Sequence, residues 1–479
     1  MPKDWEAYEG YVHGLLERHG APGMSVAVAR DGEIVYQHGF GHRDREAGFS
    51  NTPTTVHGIG SITKSFTGVA IMQLQERGLL SVNDPVTRYL PEFRVKAGAE
   101  IAKKMTIHDF LTHSSGLPPL PSLIFAMADS LREDPTISMF GEKAVEALDT
   151  HPPLRTYEEL MDFIAKQDFG LLGRPGRYFS YSNDAYGLLG AIIERVSGEP
   201  YEQYVMRHIV EPAGMDRSAF KLDRLPEGAE LTQLYVKKPD TEEVIAAPGW
   251  WESRPMAAAG FLRSNVGDLI RYMEIYRNGG KVGEEQVLTG DSVRQMVTPY
   301  MDSGMGGDYG YGLMLTVNYH GFSLVEHGGG IKGVSAYVTS VPEAGITGAA
   351  LANLGGVPSS QALTAAVNTL LGLPLAGRRF PQRDYRYPED HLASLTGMYP
   401  SGEGLLPPTR IVIGQAGLEA HMHPKVYPVR MIGPYQGIVE MYGPQDEGMP
   451  ITFLRNDLGD VFAVAMGARM MLKKDLEQS

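Results

Sequence analysis

The sequence predicts an α+β protein: an antiparallel sheet flanked by helices, with a mostly helical subdomain, followed by a small all-β barrel domain. Between residues 309 and 353, strand-like segments follow one another without long helices, which favours an antiparallel sheet. From about His391, short alternating segments are separated by Gly, Pro and Asn-Asp turns, as in a small barrel or sandwich. A stretch rich in Pro and Arg separates the two parts. We therefore expect a first domain at 1–375, a linker at 376–390 and a second domain at 391–479.

The elements of the first domain follow from hydrophobic spacing and turn residues. Trp5–His19 is predicted as an amphipathic helix ended by Gly20. Met24–Ala29 and Glu33–Gly39 are predicted as strands joined by an Asp31-Gly32 hairpin turn. Further helices are predicted at Thr106–His113, Thr156–Gln167, Asn183–Val196, Ser264–Tyr276 and Gln361–Leu371, and strands at Tyr309–Thr316, Ser323–Glu326, Ser335–Val341 and Gly348–Asn353. The helical subdomain is expected at about 80–210.

The second domain is expected to consist of short strands only. The segments Arg410–Ile413, Leu418–His421, Gly437–Met441, Ile451–Leu454 and Val461–Val464 alternate in polarity and are separated by turn residues. They predict an all-β domain of about ninety residues.

The most informative stretch runs from Gly58 to Ser65 and continues into an apolar helix that ends before Gly78. Ser61 and Lys64 lie one helical turn apart on one face, and Lys64 is the single charged residue between Ala47 and Gln75. Desolvation lowers the pKa of such a lysine, and a neutral amine beside a hydroxyl can activate the hydroxyl as a nucleophile. The alternative is a capping serine with a snorkelling lysine. A second Ser-x-x-Lys at Ser218–Lys221 follows a turn and is interpreted as chance.

Two later motifs add groups that a serine nucleophile needs. Tyr181 precedes an apolar helix, and a phenol near a lysine ammonium is stabilised as a phenolate that can move protons. The alternative is a buried tyrosine with a satisfied hydroxyl. Asn183 offers an amide that can hold Lys64 or a substrate carbonyl. His327 leads into Gly328, Gly329 and Gly330, which leave an uncluttered strand edge where backbone N–H groups can meet a substrate oxygen.

Composition excludes several classes of function. Lys and Arg number 43 against 57 Asp and Glu, a net charge of −14, which argues against nucleic acid and anionic membranes as partners. The chain has no cysteine, so thiolate nucleophiles, disulfides and cysteine-ligated metals are excluded. No apolar run approaches a membrane-spanning length, and the polar N-terminus shows no signal peptide. A cytoplasmic location is therefore expected.

No cofactor or metal is predicted. The glycines at 328–333 fit G-x-G-x-x-G, but a strand-like stretch follows them where a dinucleotide site needs a helix. His421 and His423 could share one strand face, yet they have no third ligand in the sequence and are interpreted as a surface pair.

The sequence does not decide the role of two segments. The irregular stretch 119–153 is either a lid over a substrate pocket or a helical excursion on the surface, and the second reading is preferred. Trp250 and Trp251 lie in a Gly/Pro/Ala-rich loop, where adjacent tryptophans line a pocket or interface as readily as they fill a core.

Taken in order, these motifs resemble the serine β-lactamase and penicillin-recognising superfamily. The similarity is to its branch of class C β-lactamases, DD-peptidases, family VIII esterases and D-aminopeptidases, over about residues 10–370. The matching segments are Gly60–Lys64, Asp84–Val86 with Tyr89–Pro91, Leu111–Leu117, Pro175-Gly176, Tyr181–Asn183, Glu211–Met215, Ala259–Phe261 and His327–Gly329. The last domain resembles the lipocalin-like C-terminal domains of some peptidases in this branch.

The resemblance implies a role for each motif. Ser61 would be the acylated nucleophile, Lys64 its base, and Tyr181 the acid and base for the leaving group and the attacking water. Asn183 would position Lys64 and the substrate, and the backbone N–H groups of Ser61 and Gly330 would form the oxyanion hole. His327 and Gly329 would lie at the substrate. The resemblance also allows a homo-oligomer.

One difference from the class C β-lactamase motifs narrows the range of expected substrates. Class C β-lactamases carry Lys-Thr-Gly in the third motif, whereas this chain has His327-Gly328-Gly329. A histidine is largely neutral at pH 7, so the cation that would meet an antibiotic carboxylate is missing. We expect a serine hydrolase for a small amide or short peptide containing a D-amino acid. A carboxylesterase or weak β-lactamase is the alternative within the class, and a non-catalytic penicillin-binding sensor is the alternative outside it.

Overall fold

The computed structural model describes residues 5–96, 98–137, 146, 148–239, 241–377, 385, 389–403, 408–415, 417–441 and 448–474. Within these ranges, nine strands form one antiparallel sheet in the order β10-β11-β12-β13-β14-β15-β1-β2-β3. They are β1 Gly23–Arg30, β2 Glu33–Asp44, β3 Phe49–Ser50, β10 Met301–Asp302, β11 Asp308–Tyr309, β12 Met314–Tyr319, β13 Phe322–Ile331, β14 Val334–Val341 and β15 Ile346–Ala352. The predicted antiparallel sheet is confirmed.

The first hairpin forms where its turn residues predict it. β1 pairs with β2 from Arg30 opposite Glu33, so Asp31 and Gly32 make the turn, both with positive φ. β1 also pairs with β15, which places it inside the sheet. The side chains of successive strand residues point to opposite faces, so β1 serves two separate cores.

Helices cover both faces of the sheet. On one face, Val26 and Val28 of β1 pack in a core with α1 (Trp5–His19) and α13 (Ser359–Leu371). On the other face, Ala27 and Ala29 pack in the main core with α2 (Thr63–Glu76) and α11 (Val266–Arg277). Phe66 of α2 stacks on Tyr272 of α11 with 3.7 Å between the ring centroids. The helix α2 is therefore buried, as its apolar sequence predicts.

A group of helices occupies the region expected to form the helical subdomain. Thr106 and Thr156 cap two of them through capping boxes, and Gly198 ends a third with φ of 76°. These helices are α3 Ala99–Ala102, α4 Ile107–Leu111, α5 Ser122–Ala126, α6 Ala128–Arg132, α7 Tyr157–Lys166, α8 Asn183–Ser197 and α9 Tyr201–Val205.

Shorter elements connect the helices to the sheet. Two further α-helices in the described residues of the first part are α10 Ala257–Gly260 and α12 Gly290–Met296. The paired short strands are β4 His57–Gly58 with β7 Arg263–Ser264, β5 Tyr235–Lys237 with β6 Val244–Ala246, and β8 Lys281–Val282 with β9 Glu285–Gln286.

The C-terminal part is a nearly closed all-β barrel, as predicted. Among the described residues, eight antiparallel strands follow chain order from β16 to β23, and a bridge between Met398 and Lys474 brings the two edges together. The strands are β16 Gly397–Tyr399, β17 Thr409–Gly414, β18 Gly417–Met422, β19 Lys425–Gly433, β20 Gln436–Val439, β21 Met449–Arg455, β22 Val461–Met466 and β23 Arg469–Leu472, preceded by α14 Glu389–Leu395.

The structure differs from the sequence predictions at several points. The predicted strand Tyr309–Thr316 is two strands, because Gly312 turns the chain with φ of 73°. Strands β16, β19 and β23 were not predicted. Most of the predicted linker 376–390 lies outside the described residues. No helix in the described part of the chain is long and apolar enough to cross a membrane.

Candidate active site

Ser61 lies at the junction between a tight turn and a buried helix. It belongs to the 3₁₀ turn Gly60–Ile62, which continues directly into α2. Gly60 has φ of 50°, and a Cβ placed on it would lie 2.7 Å from the backbone nitrogen of Gly330. Glycine at position 60 therefore lets the turn approach β13 closely, and it brings Ser61 to the edge of the sheet.

Lys64 is buried one turn into the helix, with Nζ surrounded by oxygen atoms. The side chain is fully buried, and Nζ lies 3.2 Å from Ser61 Oγ. Nζ also donates to Asn183 Oδ1 at 2.8 Å and to the backbone carbonyl of Ala259 at 2.6 Å. The contact expected between Asn183 and Lys64 is present in this geometry.

The protonation state of Lys64 follows from burial and from these partners. Burial lowers the pKa of Lys64 well below its usual range, Arg469 lowers it further, and Glu403 raises it. A neutral amine carries two hydrogens and one lone pair. Asn183 Oδ1 and the Ala259 carbonyl can only accept, so they take the two hydrogens. The lone pair is then directed at the Ser61 hydroxyl, as required for a base that activates this serine.

Tyr181 lies near both Ser61 and Lys64, at the end of the loop that leads into α8. The Ser61 hydroxyl lies beside its phenol, and the Tyr181 ring centroid is 4.6 Å from Lys64 Nζ. Burial raises the pKa of Tyr181 above its usual value, although Ser61 and Arg469 oppose the shift. The structure therefore favours a neutral phenol in the resting site. The sequence suggested a phenolate next to an ammonium, but burial disfavours both charges.

The ring of His113 packs against the ring of Tyr181. Its ring centroid lies 4.1 Å from that of Tyr181, and its Nδ1 accepts a hydrogen bond from the backbone N–H of Ser182 at 3.0 Å. Burial lowers the pKa of His113 well below its usual range. A neutral His113 therefore fixes the loop that carries Tyr181.

His327 is turned inward. Its Nε2 lies 2.9 Å from the Tyr309 hydroxyl, and its Nδ1 lies 2.6 Å from the backbone oxygen of Gly328. Burial lowers the pKa of His327 to about 3, so the ring is neutral. An Nδ1–H donates to Gly328, and Nε2 accepts from Tyr309. Both ring nitrogens are thus engaged within the protein rather than directed at the cavity beside Ser61.

The glycines after His327 lie against the Ser61 turn. Strand β13 pairs with β12 as far as Glu326, whereas it pairs with β14 as far as Ile331. One edge of β13 is therefore left without a strand partner beyond Glu326, and this edge faces the turn. A Cβ on Gly329 would lie 1.8 Å from the backbone oxygen of Ile59 and 3.2 Å from the backbone nitrogen of Ser61. Only glycine fits there.

A small cavity opens above Ser61. Its volume is about 160 Å³, similar to engineered cavities of about 150 Å³ that hold a benzene ring. Apolar side chains form most of its wall, and Asn183 and Arg469 supply polar groups. The apolar wall consists of Leu123, Met127, Trp251, Ala259, Phe261 and Ile331. One of the two adjacent tryptophans thus lines a pocket.

The irregular segment 119–153 contributes to this wall. Leu123 and Met127 come from it, and Asp134 of the same segment forms a buried ion pair with Lys332. Asp134 also accepts a hydrogen bond from Trp251 Nε1 at 2.7 Å. The described part of the segment therefore lies over the cavity and is fastened to the hairpin that carries Gly330. Residues 138–145 and 147 lie outside the described ranges.

Two residues of the barrel reach the site, and neither is predicted from the sequence. Arg469 lines the cavity, and Glu403 accepts a hydrogen bond from Asn183 Nδ2 at 3.2 Å. The two form an ion pair with Arg469 Nε 2.9 Å from Glu403 Oε2. No local pattern marks these residues, because the Asn183–Glu403 contact joins positions 220 residues apart.

The second Ser-x-x-Lys does not form a comparable pair. Ser218 Oγ donates to Asp268 at 2.8 Å, and Lys221 pairs with Glu252 at 2.9 Å. Each residue has its own carboxylate partner. The structure supports its interpretation as a chance match.

Of the two histidines interpreted as a surface pair, His421 lies beside a carboxylate. Its Nε2 is 3.0 Å from Oε2 of Glu419. Within the described ranges, no group of three or more His, Cys, Asp or Glu side chains could hold a metal ion.

Asp184→Asn is expected to stabilise the protein at alkaline pH. Burial raises the pKa of Asp184 to about 7, while the Ser122 hydroxyl that hydrogen-bonds to it acts in the opposite direction. The folded protein therefore binds a proton that an unfolded Asp releases near pH 4. The stabilisation present below about pH 4 is lost as the pH rises through 7.

The neutral amide avoids this loss, so the unfolding free energy of the variant relative to wild type should rise by up to about 4 kcal/mol between pH 4 and pH 8. Urea unfolding at the two pH values measures the difference. Asp457→Asn, at a side chain that is 96% exposed, should show no such rise. An equal difference at both pH values for Asp184→Asn would contradict the assignment.

Comparison with known proteins identifies the family of this chain. The family model described as Beta-lactamase matches residues 9–371. The chain belongs to the beta-lactamase family. One curated relative is the putative penicillin-binding protein PbpX of Bacillus subtilis. It is 34% identical to this chain over 209 residues, which are 44% of each of the two chains. The match thus spans less than half the length of that relative.

Solved structures extend the likeness to the barrel. The octameric penicillin-binding protein homologue from Pyrococcus abyssi is 30% identical, with a TM-score of 0.69 over 98% of this chain and 100% of that one. A D-stereospecific amidohydrolase from Streptomyces sp. is 24% identical, with a TM-score of 0.59 over 76% of this chain and 98% of that one. The second likeness shows the fold alone.

Proposed function

We propose that this protein is a serine hydrolase that forms an acyl-enzyme on Ser61 and acts on a small amide or short peptide containing a D-amino acid. The main support for this proposal is the position of the buried Lys64 amine. Its Nζ lies 3.2 Å from Ser61 Oγ and donates hydrogen bonds to Asn183 Oδ1 and to the backbone carbonyl of Ala259. Serine is a weak nucleophile until a base takes its proton, and this arrangement supplies the base.

Acylation begins when the Lys64 lone pair takes the Ser61 proton and Oγ attacks the substrate carbonyl carbon. The backbone N–H groups of Ser61 and Gly330 stabilise the oxyanion. When the tetrahedral intermediate collapses, the bond to the leaving group breaks. Tyr181 donates its phenol proton to the leaving amine and regains a proton from the Lys64 ammonium, so both residues end neutral.

Deacylation uses the same groups in reverse. A water molecule takes the place of the leaving group, and Tyr181 accepts its proton while passing its own proton to Lys64. The hydroxide adds to the ester carbonyl, and the intermediate expels Ser61 Oγ, which regains its proton from Lys64. The product is a carboxylic acid, and the enzyme returns to its starting state.

The substrate class rests on the cavity and on His327. A cavity of about 160 Å³ with mostly apolar walls suits one small side chain next to the scissile carbonyl. His327 is neutral and turned inward, so the third motif offers no cation to an antibiotic carboxylate. The Streptomyces amidohydrolase is described as D-stereospecific, which supports the proposed stereochemistry. The Pyrococcus relative is octameric, which supports self-association of this chain.

The barrel belongs to the proposed catalytic unit. We propose that residues 1–375 and 391–479 are two structural domains and that the second supplies Glu403 and Arg469 to the site of the first. Carboxylester hydrolysis is the second candidate function, because the apolar wall and neutral His327 suit an uncharged ester equally well.

Four chromogenic substrates separate these functions: D-alanyl p-nitroanilide, its L-isomer, p-nitrophenyl acetate and a chromogenic cephalosporin. We expect kcat/KM to be highest for the D-anilide and at least about 10-fold lower for the L-isomer, a difference of about 1.4 kcal/mol in transition-state binding. Turnover of the ester alone would assign a carboxylesterase and overturn the peptide substrate. A stable adduct on Ser61 without turnover of any substrate would indicate a sensor.

A further inference from the structure

The barrel is fastened to the catalytic loop at the turn between β22 and β23. The backbone N–H of Tyr181 donates to the carbonyl of Ala468 at 2.8 Å, and the backbone N–H of Met470 donates to Ser180 Oγ at 3.3 Å. These two bonds hold the chain on both sides of position 469 against Ser180 and Tyr181. Arg469, between them, is thereby set beside the site.

Arg469, whose side chain is 18% exposed, and Glu403 form an ion pair over Tyr181 and Asn183. The Glu403 side chain is 4% exposed, and both of its oxygens receive hydrogen bonds from Arg469, at 2.9 Å and 3.3 Å. Arg469 Cζ lies 4.6 Å from the centroid of the Tyr181 ring. Glu403 Oε1 also accepts from Asn183 Nδ2 at 3.2 Å. The carboxylate therefore connects the barrel to the residue that holds Lys64.

The hydrogen bond to Glu403 decides which end of the Asn183 amide faces Lys64. A carboxylate can only accept, so it selects the NH₂ end of the amide and leaves Oδ1 for Lys64 Nζ. In the flipped amide, Nδ2 would face Nζ, and the lone pair of a neutral Lys64 would have to accept from it. That lone pair would then be unavailable to Ser61.

We propose that Glu403 and Arg469 are positioning residues through which the barrel domain keeps Lys64 competent as a base. Glu403 fixes the Asn183 amide, and Arg469 holds Glu403 in place by two hydrogen bonds. The inference rests on the proposed hydrolase function and adds to it a requirement for the C-terminal domain. Neither residue touches the reacting atoms in this scheme.

The two residues also act on Lys64 in opposite electrostatic directions. Besides burial, Arg469 lowers the pKa of Lys64 and Glu403 raises it. The other titratable groups around Lys64 are Tyr181 and Tyr186, whose rings face Nζ, and the neutral His113 and His327. Because Lys64 must be neutral to act, the acid limb of kcat/KM follows its pKa.

The test compares Glu403→Gln, Arg469→Gln and Arg469→Lys with wild type, using p-nitrophenyl acetate as the probe from pH 5 to 10. Glu403→Gln keeps the shape of the side chain but turns one acceptor into a donor, so kcat should fall about 10- to 100-fold with KM within about 3-fold. Its acid limb should move to lower pH. In Arg469→Gln the acid limb of the kcat/KM profile should move to higher pH. In Arg469→Lys the acid limb should stay in place, and kcat should still fall.

Asp457→Asn is the matched control, because it removes an exposed ion pair between the barrel and Arg177 away from the site. It should match wild type in kcat and in pH profile. Folding of each variant is verified by thermal unfolding. Variants with wild-type kcat and unshifted limbs, or with limbs that move in the same direction, would overturn the positioning role and leave the hydrolase function intact. A wild-type protein that neither turns over the ester nor forms an adduct on Ser61 would overturn both.

Discussion

Replacing Ser61 with alanine is expected to lower kcat/KM for any accepted substrate by at least about 10³-fold, because Ser61 is the one hydroxyl among the described residues that line the cavity. Ser61 is the hydroxyl that Lys64 Nζ and the Tyr181 phenol both contact. The methyl group of alanine leaves the turn and the helix unchanged, so the stability of the protein should change little. Steady-state kinetics and thermal unfolding of the same preparation measure the two quantities.

Ser218→Ala is the matched control for this experiment. Ser218 belongs to the second Ser-x-x-Lys and is bonded to Asp268 rather than to a lysine. Its removal should leave kcat/KM within about 2-fold of wild type, even if the lost buried hydrogen bond lowers stability by about 1 kcal/mol. Full activity in Ser61→Ala would overturn the catalytic scheme.

Replacing Lys64 with methionine is expected to lower kcat by about 10²- to 10⁴-fold, the usual contribution of a general base. Methionine fills the fully buried space left by the lysine stem but offers no lone pair to Ser61. Asn183 Oδ1 and the Ala259 carbonyl would lose their donor, so a modest loss of stability is also expected. Stopped and steady-state assays at several pH values measure the rate.

The pH profile of the residual activity distinguishes a base from a structural lysine. Because burial lowers the pKa of Lys64, wild-type activity should fall as the pH drops and the amine becomes protonated. Lys64→Met should lose this acid limb. Lys221→Met, at the exposed partner of Glu252, should keep both the rate and the limb. An unchanged limb in Lys64→Met would assign the ionisation to another group.

The features that sequence predicted well are those set by neighbours along the chain. The helix Trp5–His19 has the predicted bounds, and the turn at Asp31-Gly32 joins the predicted strands. Ser61 and Lys64 meet because they are three positions apart, which is about one turn of helix. Local spacing and turn chemistry are sufficient for such features.

Other features depend on parts of the chain that meet only after folding. Glu403 and Arg469 follow no pattern in sequence, and the site needs the barrel to dock before they reach Asn183 and Tyr181. The neutral state of Tyr181 also depends on distant contacts, since Tyr181 is buried in a cluster with Tyr309 and with Ala468 of the barrel. Within the barrel, β19 escaped prediction because Pro428 interrupts a segment that would otherwise show strand character.

The break between β11 and β12 shows a different limit of sequence patterns. Residues 309–316 have enough apolar character to predict one continuous strand. A Cβ on Gly312 would lie 2.6 Å from the backbone oxygen of Lys64, so the turn there is shaped by contact with α2. In the sequence, such a close approach between distant backbones is marked only by a glycine. Because glycine also occurs for many other reasons, Gly312 alone does not predict the turn.

The nucleophilic reactivity of Ser61 can be measured by mass spectrometry of the intact protein after reaction with a fluorophosphonate probe, followed by peptide mapping. We expect one adduct per chain on Ser61 in wild type, none in Ser61→Ala, and the wild-type adduct in Ser218→Ala. An unmodified wild-type protein, or an adduct that maps to a residue other than Ser61, would contradict the role of Ser61 as the nucleophile.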